Sequence, residues 1–132
     1  MNHNFHSGND DNPHRFLNVL LEGTYVRPHR HSTPPKPESF LVLDGKALLL
    51  IFDEAGAIAH RTVLGMGPDC DAIGIDLEPG VLHTITALTP RAVCYEVKPG
   101  PYAPVSDKDF AEWAPREGTP EAAQALARWI AS

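Results

Sequence analysis

The sequence has few of the features that mark membrane-spanning, disulfide-stabilised or nucleic-acid-binding proteins. It contains 2 cysteines in 132 residues, too few for a disulfide framework, although one disulfide is possible. The longest apolar run, Ala47 to Phe52, is far too short to cross a bilayer. The formal charge is -6, and the sequence has no cluster of Lys and Arg residues. Both nucleic acid and anionic membranes bind basic patches, so neither is an expected partner.

The first residues also lack the pattern of a secretory leader. Met-Asn-His-Asn-Phe-His has neither a basic segment nor an apolar one, so we expect a soluble, reduced, cytoplasmic protein. The apolar fraction of 42% and the charged fraction of 21% are typical of a globular chain. The length favours one domain over residues 1–132, with enough chain to bury a core of its own.

Hydrophobic periodicity divides this domain into three parts. Residues 1–22 form a polar arm followed by a short predicted helix, residues 23–98 a β-barrel region, and residues 99–132 a helical tail. The first helix is indicated by Asn12-Pro13, a pair typical of a helix start. It is also indicated by apolar residues at helical spacing, which are Phe16, Leu17, Leu20 and Leu21. On this helix His14 would face solvent.

Short apolar runs separated by turn residues follow from Thr24 to Val97. Many short strands at this spacing are typical of a β-sandwich or barrel, so the sequence predicts an all-β fold. The predicted strands are Tyr25–Val26, His29–His31, Ser39–Leu43, Ala47–Phe52, Ile58–Leu64, Ala72–Leu77, His83–Ala87 and Ala92–Val97.

The tail contains two predicted helices. Ser106 to Asp109 resembles a capping arrangement and leads into a helix through Trp113. Thr119-Pro120 opens a second helix, whose apolar stripe would pack on the barrel or on a second subunit. The stripe consists of Ala122, Ala125, Leu126, Trp129 and Ile130.

Four residues have the donor chemistry of a transition-metal site. His29 and His31 are two apart, so in a strand both imidazoles point to one face. Glu38 comes from the next strand, and His83 follows the Pro79-Gly80 turn. If these strands are neighbours, the set suits a divalent transition metal. Alternatively the histidine pair faces solvent at a strand edge, or Glu38 only accepts a hydrogen bond from a ligand histidine.

The spacing of these residues resembles the two motifs of the cupins. Gly23, His29, His31, Glu38 and Gly45 follow the order of the first motif, with a longer gap of six residues between His31 and Glu38. In the second motif Gly80 and His83 keep the Gly-x-x-His spacing. The proline of that motif is shifted, and Ala87 stands where asparagine is expected.

The chain is similar in particular to the WbuC-type cupin metalloproteins, in residues 1–6, 23–31, 97–102 and 110–115. This resemblance implies a double-stranded β-helix, or jelly-roll, barrel with a short N-terminal helix and C-terminal helices. It also implies a divalent metal (Fe, Mn, Ni, Co or Zn) bound through His29, His31, Glu38 and His83. The genes that encode members of that family often accompany genes for surface-polysaccharide (O-antigen) biosynthesis.

Candidate catalytic residues are Arg27, Tyr25 and His6. Arg27 and Tyr25 share the inward parity of His29. Arg27 would bind a substrate carboxylate or phosphate, or form a structural salt bridge. Tyr25 would donate a hydrogen bond to substrate, or simply line the barrel. His3 and His6 would be idle in a loose arm, or would supply a proton shuttle if the arm folds over the pocket.

Two further alternatives concern Cys94 and the strand Ala47–Phe52. Cys94 is a soft ligand or, more simply, a small core residue. The run Leu48 to Phe52 is apolar on both strand faces, so its second face needs cover from the terminal helices or from a second subunit. Because cupins commonly dimerise through such a face, we expect a homodimer.

The functional expectation is a metal-dependent enzyme acting on a small polar molecule, such as a sugar derivative in surface-polysaccharide biosynthesis. Isomerase, epimerase and oxygenase chemistry all suit such a ligand set. The alternative is a cupin that holds metal and ligand without turnover. A metal-free epimerase with a histidine base is a third interpretation, against which the complete motif argues.

Overall fold

The computed structural model describes residues 1–104 and 107–132, and these residues form two five-stranded antiparallel sheets and one helix. The first sheet has the order β1-β2-β9-β4-β7 and the second β10-β3-β8-β5-β6. The all-β prediction is therefore confirmed. The elements are β1 (Asn2–Asn4), β2 (His14–Leu21), β3 (His29–Arg30), β4 (Glu38–Asp44), β5 (Ala47–Phe52), β6 (Ile58–Leu64), β7 (Gly74–Leu77), β8 (His83–Ala87), β9 (Arg91–Lys98), β10 (Asp109–Phe110) and α1 (Pro120–Ala131).

The main core lies between the two sheets and is built by the two-residue alternation of strands. On β5, Ala47 and Leu49 face the opposite sheet and are fully buried. Val42 and Cys94 meet them from the first sheet, so Cys94 is a small core residue. Both cysteines of the chain are free. The two sheets pack on each other as in a jelly-roll.

The second face of β5 is covered by the chain itself. Leu48, Leu50 and Phe52 pack beneath α1, where the Trp129 ring lies with its centroid 5.1 Å from that of Phe52. Of the two possibilities left open by the sequence, the terminal helix provides the cover. This face is consequently not free to bind a second subunit.

The predicted N-terminal helix is wrong, because residues 14–21 form strand β2, which pairs with β9 along its whole length. Phe16 and Leu20 face inward, and so does His14, which is only 3% exposed. Asn18 faces the same side of the strand as these residues. Because it is polar, the sequence does not show the alternation of apolar and polar residues that would indicate a strand. Pairing across eight residues outweighs a marginal isolated helix.

The first predicted helix of the tail is also wrong. Asp109 and Phe110 form the edge strand β10, which pairs with β3, because so short a segment gains more from this ladder than from an isolated helical turn. The capping residue Ser106 lies outside the described residues. The second helix is confirmed as α1, and the Thr119 hydroxyl caps it by accepting from the Ala122 amide at 3.2 Å.

The predicted strand at Tyr25–Val26 is an extended segment outside both sheets. The hydroxyl groups of Thr84 and Thr86 on β8 donate to the carbonyls of Val26 and Thr24. Hydrogen bonds from these side chains thus take the place of a backbone ladder along this segment. Across residues 1–104 and 107–132, no helix has both the length and the apolar character needed to cross a membrane.

Candidate metal centre

Strand pairing brings together the four residues that the sequence selects as metal ligands. His29 on β3 lies directly opposite His83 on β8, and Glu38 is the first residue of β4 in the other sheet. His31 follows β3. All four are between 3% and 5% exposed, and one donor atom from each lies within 4.8 Å of the others. The group therefore sits between the sheets and could hold a metal ion.

Each histidine ring is oriented by a backbone carbonyl. The Nδ1 atoms of His29 and His83 donate to Arg27 O and Val81 O, both at 2.8 Å. His31 Nδ1 donates to Asp107 O at 2.5 Å. Because a carbonyl only accepts, these bonds place the ring proton on Nδ1 and leave Nε2 as a lone pair. Histidines that bind metals are held in this way by a second hydrogen bond.

The unpartnered atoms of the site fit a cation. Nε2 of His31 and Oε1 of Glu38 are buried without a hydrogen-bond donor, and they face each other in close contact. Two buried lone pairs need a proton or a metal ion between them. Donor atoms bound to one ion at about 2.1 Å lie at most about 4.2 Å apart, so small shifts of these side chains, with His31 and Glu38 moving apart, would form the site.

Burial also sets the charge states that a metal needs. It lowers the pKa of His29 to about 3, helped by the charge of His83. Burial lowers the pKa of His83 as well, although Glu38 opposes it. Burial would raise the pKa of Glu38, but its close contact with the His31 ring, together with the nearby His83 ring, lowers it to about 2. At neutral pH His29 and His83 are neutral and Glu38 is ionised, as binding requires.

The four residues open onto a cavity of about 560 Å³. Asn18, Glu96 and Lys98 supply polar groups to its wall, and Phe16 and Phe40 supply apolar ones. A volume of this size suits a small molecule. The arrangement therefore offers a metal position beside a space for a polar ligand.

The polar groups of two of the three candidate catalytic residues donate to backbone carbonyls, although Tyr25 also lines the cavity. The Tyr25 hydroxyl donates to Pro115 O at 2.6 Å, and its ring stacks on Trp129. Arg27 donates to the carbonyls of Ala111 and Ala114, both at 3.1 Å. Its guanidinium lies over Phe110 and outside the metal cavity. Within residues 1–104 and 107–132 Arg27 forms no ion pair, and its two hydrogen bonds fasten the segment carrying β10.

His6 lies at the cavity, as expected if the N-terminal arm folds over the pocket. It is 9% exposed, lines the cavity, and stacks on His14 with ring centroids 4.0 Å apart. His3 is exposed and contacts Phe5 instead. The histidines of the arm therefore differ in position, and only His6 contributes to the cavity wall.

Glu96 is one of the cavity residues that sequence reasoning missed. It is 7% exposed, and its Oε2 has no hydrogen-bond partner. It lies on β9 two residues after the inward-facing Cys94, so strand parity would have placed its carboxyl inward as well. Burial and the nearby charge of Glu38 raise the pKa of Glu96 to about 7.

Solved structures with this architecture include several cupins. CapF from Staphylococcus aureus, a capsular polysaccharide assembling protein, has a TM-score of 0.60 at 23% identity, covering 78% of this chain and 27% of its own. A dTDP sugar isomerase from Desulfovibrio desulfuricans has 0.61 at 16%, covering 89% and 71%. The Schizosaccharomyces pombe Cnp3 cupin domain has 0.55 at 12%, covering 75% and 59%. The chain has the cupin fold.

The chain spans only about a third of the length of the CapF chains it resembles. Residues 1–64 match a family described as "Domain of unknown function (DUF6016)". No curated protein sequence matches this chain. Together these findings support a cupin with a buried His/Glu group that could bind a metal, and the WbuC-type subtype stays a prediction.

Proposed function

We propose that this cupin is a metal-dependent enzyme of the isomerase or epimerase type, acting on a small polar molecule such as a sugar derivative. The observation that carries the proposal is the convergence of His29, His31, Glu38 and His83 within 4.8 Å, beside a cavity with polar walls. A divalent Fe, Mn, Ni, Co or Zn ion held there would act as a Lewis acid toward a carbonyl or hydroxyl oxygen.

The protein residues around this position would bind and orient the substrate. Asn18 and Lys98 offer hydrogen-bond donors to hydroxyl or carboxylate groups, and Phe16 and Phe40 offer apolar surface to C–H groups. Lys98 is itself held by Asp107, whose Oδ2 accepts from its Nζ at 2.9 Å. A ligand with several hydroxyl groups matches this mixture better than an apolar one.

Two structural relatives favour the same substrate class. One is named a dTDP sugar isomerase and another a capsular polysaccharide assembling protein. By analogy we place this cupin in surface-polysaccharide synthesis, in line with the WbuC-type resemblance. Its charge of -6 makes nucleic acid and anionic membranes poor partners.

The proposal is tested by comparing metal-stripped protein with protein reloaded with each of the five metals. Incubation with free aldoses, ketoses and dTDP-sugars, followed by mass spectrometry and NMR, should reveal conversion that requires one of these metals. Saturable binding without product would instead identify a non-catalytic binding module. Equal turnover by stripped protein would contradict a metal-dependent enzyme.

We also propose a homodimer, formed through the outer face of the first sheet. Leu17, Tyr95 and Leu41 lie side by side across β2, β9 and β4, and Leu41 and Leu43 are 43% and 45% exposed. Burying such a face removes apolar surface from water. The partner copy would thus cover this sheet and leave α1 free.

Light scattering at micromolar concentration should give the mass of a dimer. Leu41→Lys should give a monomer, because it places a charge at the centre of the proposed contact. Ile130→Lys is the matched control. Ile130 is 36% exposed and lies on α1, which is not part of the first sheet. A monomeric wild type would contradict the proposed dimer.

A further inference from the structure

The metal cluster leaves one buried polar atom unexplained. Among the residues that the structure describes, the buried side-chain atoms without a hydrogen-bond partner are His31 Nε2, Glu38 Oε1 and Glu96 Oε2. The first two face each other within the proposed metal centre. Glu96 is not part of that group, yet an unpartnered buried carboxyl oxygen is costly. Groups of this kind are retained where a ligand or a reaction uses them.

The position of Glu96 places its side chain beside the ligand space. It lies on β9, the central strand of the first sheet, opposite Phe16 on β2 and Phe40 on β4. All three residues line the cavity that also contains the metal cluster. The two phenyl side chains therefore flank the Glu96 side chain. A substrate in the cavity would therefore contact the cluster and Glu96 together.

We propose that Glu96 is a catalytic residue that takes a proton from the substrate and returns it, and that the substrate is an α-hydroxy aldehyde or α-hydroxy ketone of the sugar class. This rests on the proposed function. The charged and titratable groups around Glu96 come from each neighbouring element. They are Glu38 on β4, His14 on β2, Lys98 on β9, Lys108 before β10, and His6 in the N-terminal segment.

The proposed step conserves atoms and electrons. Glu96 removes the hydrogen of the hydroxyl-bearing carbon as a proton, and the C–H electron pair forms the C=C bond of an enediolate while the carbonyl π pair moves to oxygen. Return of the proton to the former carbonyl carbon, with transfer of the hydroxyl proton to the other oxygen, gives the isomer. In the metal-free protein burial raises the pKa of Glu96 to about 7, and a carboxyl group whose pKa lies near neutral pH can both accept and donate a proton.

The test uses the full-length protein loaded with Zn²⁺ or Mn²⁺ and two probes, D-glyceraldehyde and D-xylose, in D₂O. Wild type should incorporate deuterium next to the probe carbonyl faster than the free metal ion does. Glu96→Gln should lose about 100-fold or more of this exchange while keeping the Zn²⁺ affinity seen by calorimetry. Glu22→Gln, an equivalent change at an exposed turn residue, should leave both unchanged.

A second readout does not depend on activity. In metal-free wild type labelled with ¹³C at glutamate carboxyl carbons, the resonance absent from Glu96→Gln should titrate near pH 7. Titration at the ordinary value of about 4.5 would overturn the proposal. So would equal exchange by wild type and Glu96→Gln, or no exchange of either probe by protein that binds Zn²⁺. Wild type that binds no metal would instead overturn the proposed metal centre.

Discussion

Replacing His83 with alanine is expected to remove most of the metal from the protein. The change deletes one of four converging donor atoms and leaves space where the imidazole stood opposite His29. Loss of an outer hydrogen-bond partner already costs about 10- to 100-fold in metal affinity, so loss of a ligand should cost at least about 100-fold. Elemental analysis of protein purified without added metal measures the content, and calorimetry measures the affinity.

His60→Ala is the matched control for this experiment. His60 is an exposed imidazole on β6, so its removal should leave the metal content at the wild-type level. The identity of the metal that His83→Ala loses indicates which kind of reaction the site supports. Iron would favour reaction with dioxygen, and zinc, manganese or nickel would favour Lewis-acid chemistry. Wild-type protein without metal after reconstitution, or His83→Ala with full metal content, would refute the site.

Replacing Glu96 with glutamine is expected to change the pH dependence of stability in metal-free protein. The pKa of Glu96 is raised from 4.5 to about 7 in the folded chain. Between these values the folded protein holds a proton that the unfolded chain has lost. Stability from this group is thus fully present below pH 4.5 and falls as the pH rises through 7. A pKa shift of about two to three units corresponds to roughly 3 kcal/mol of unfolding free energy.

Glutamine cannot ionise, so the variant should gain roughly 3 kcal/mol relative to wild type between pH 4.5 and 8. Urea denaturation at a series of pH values measures this difference. His29, whose pKa is lowered to about 3, has the opposite pH dependence, but it is present in both proteins and cancels. Parallel stability curves for wild type and Glu96→Gln would show that Glu96 ionises normally. Metal must be absent because a cation beside Glu38 would favour ionised Glu96.

The sequence by itself predicts the central strands and the metal-ligand residues. Strand alternation and turn residues are local signals, so β4 to β9 lie close to their predicted ranges. The His29 and His31 pair, Glu38 and His83 have a spacing that the cupin motifs share. The structure brings these four together through the pairing of β3 with β8 and the packing of the two sheets.

Tertiary structure decided the features whose local signals were weak or balanced. Residues 14–21 show a helical spacing of apolar side chains, yet they form β2 because β9 offers a partner along their full length. Arg27 has the parity of His29, but carbonyl groups from residues 84 positions or more away in sequence bind its guanidinium. The pKa of the Glu96 carboxyl is raised only because distant strands bury it beside phenyl rings and place the charge of Glu38 nearby. Local spacing determines which residues share a strand face, whereas long-range pairing determines what each face meets.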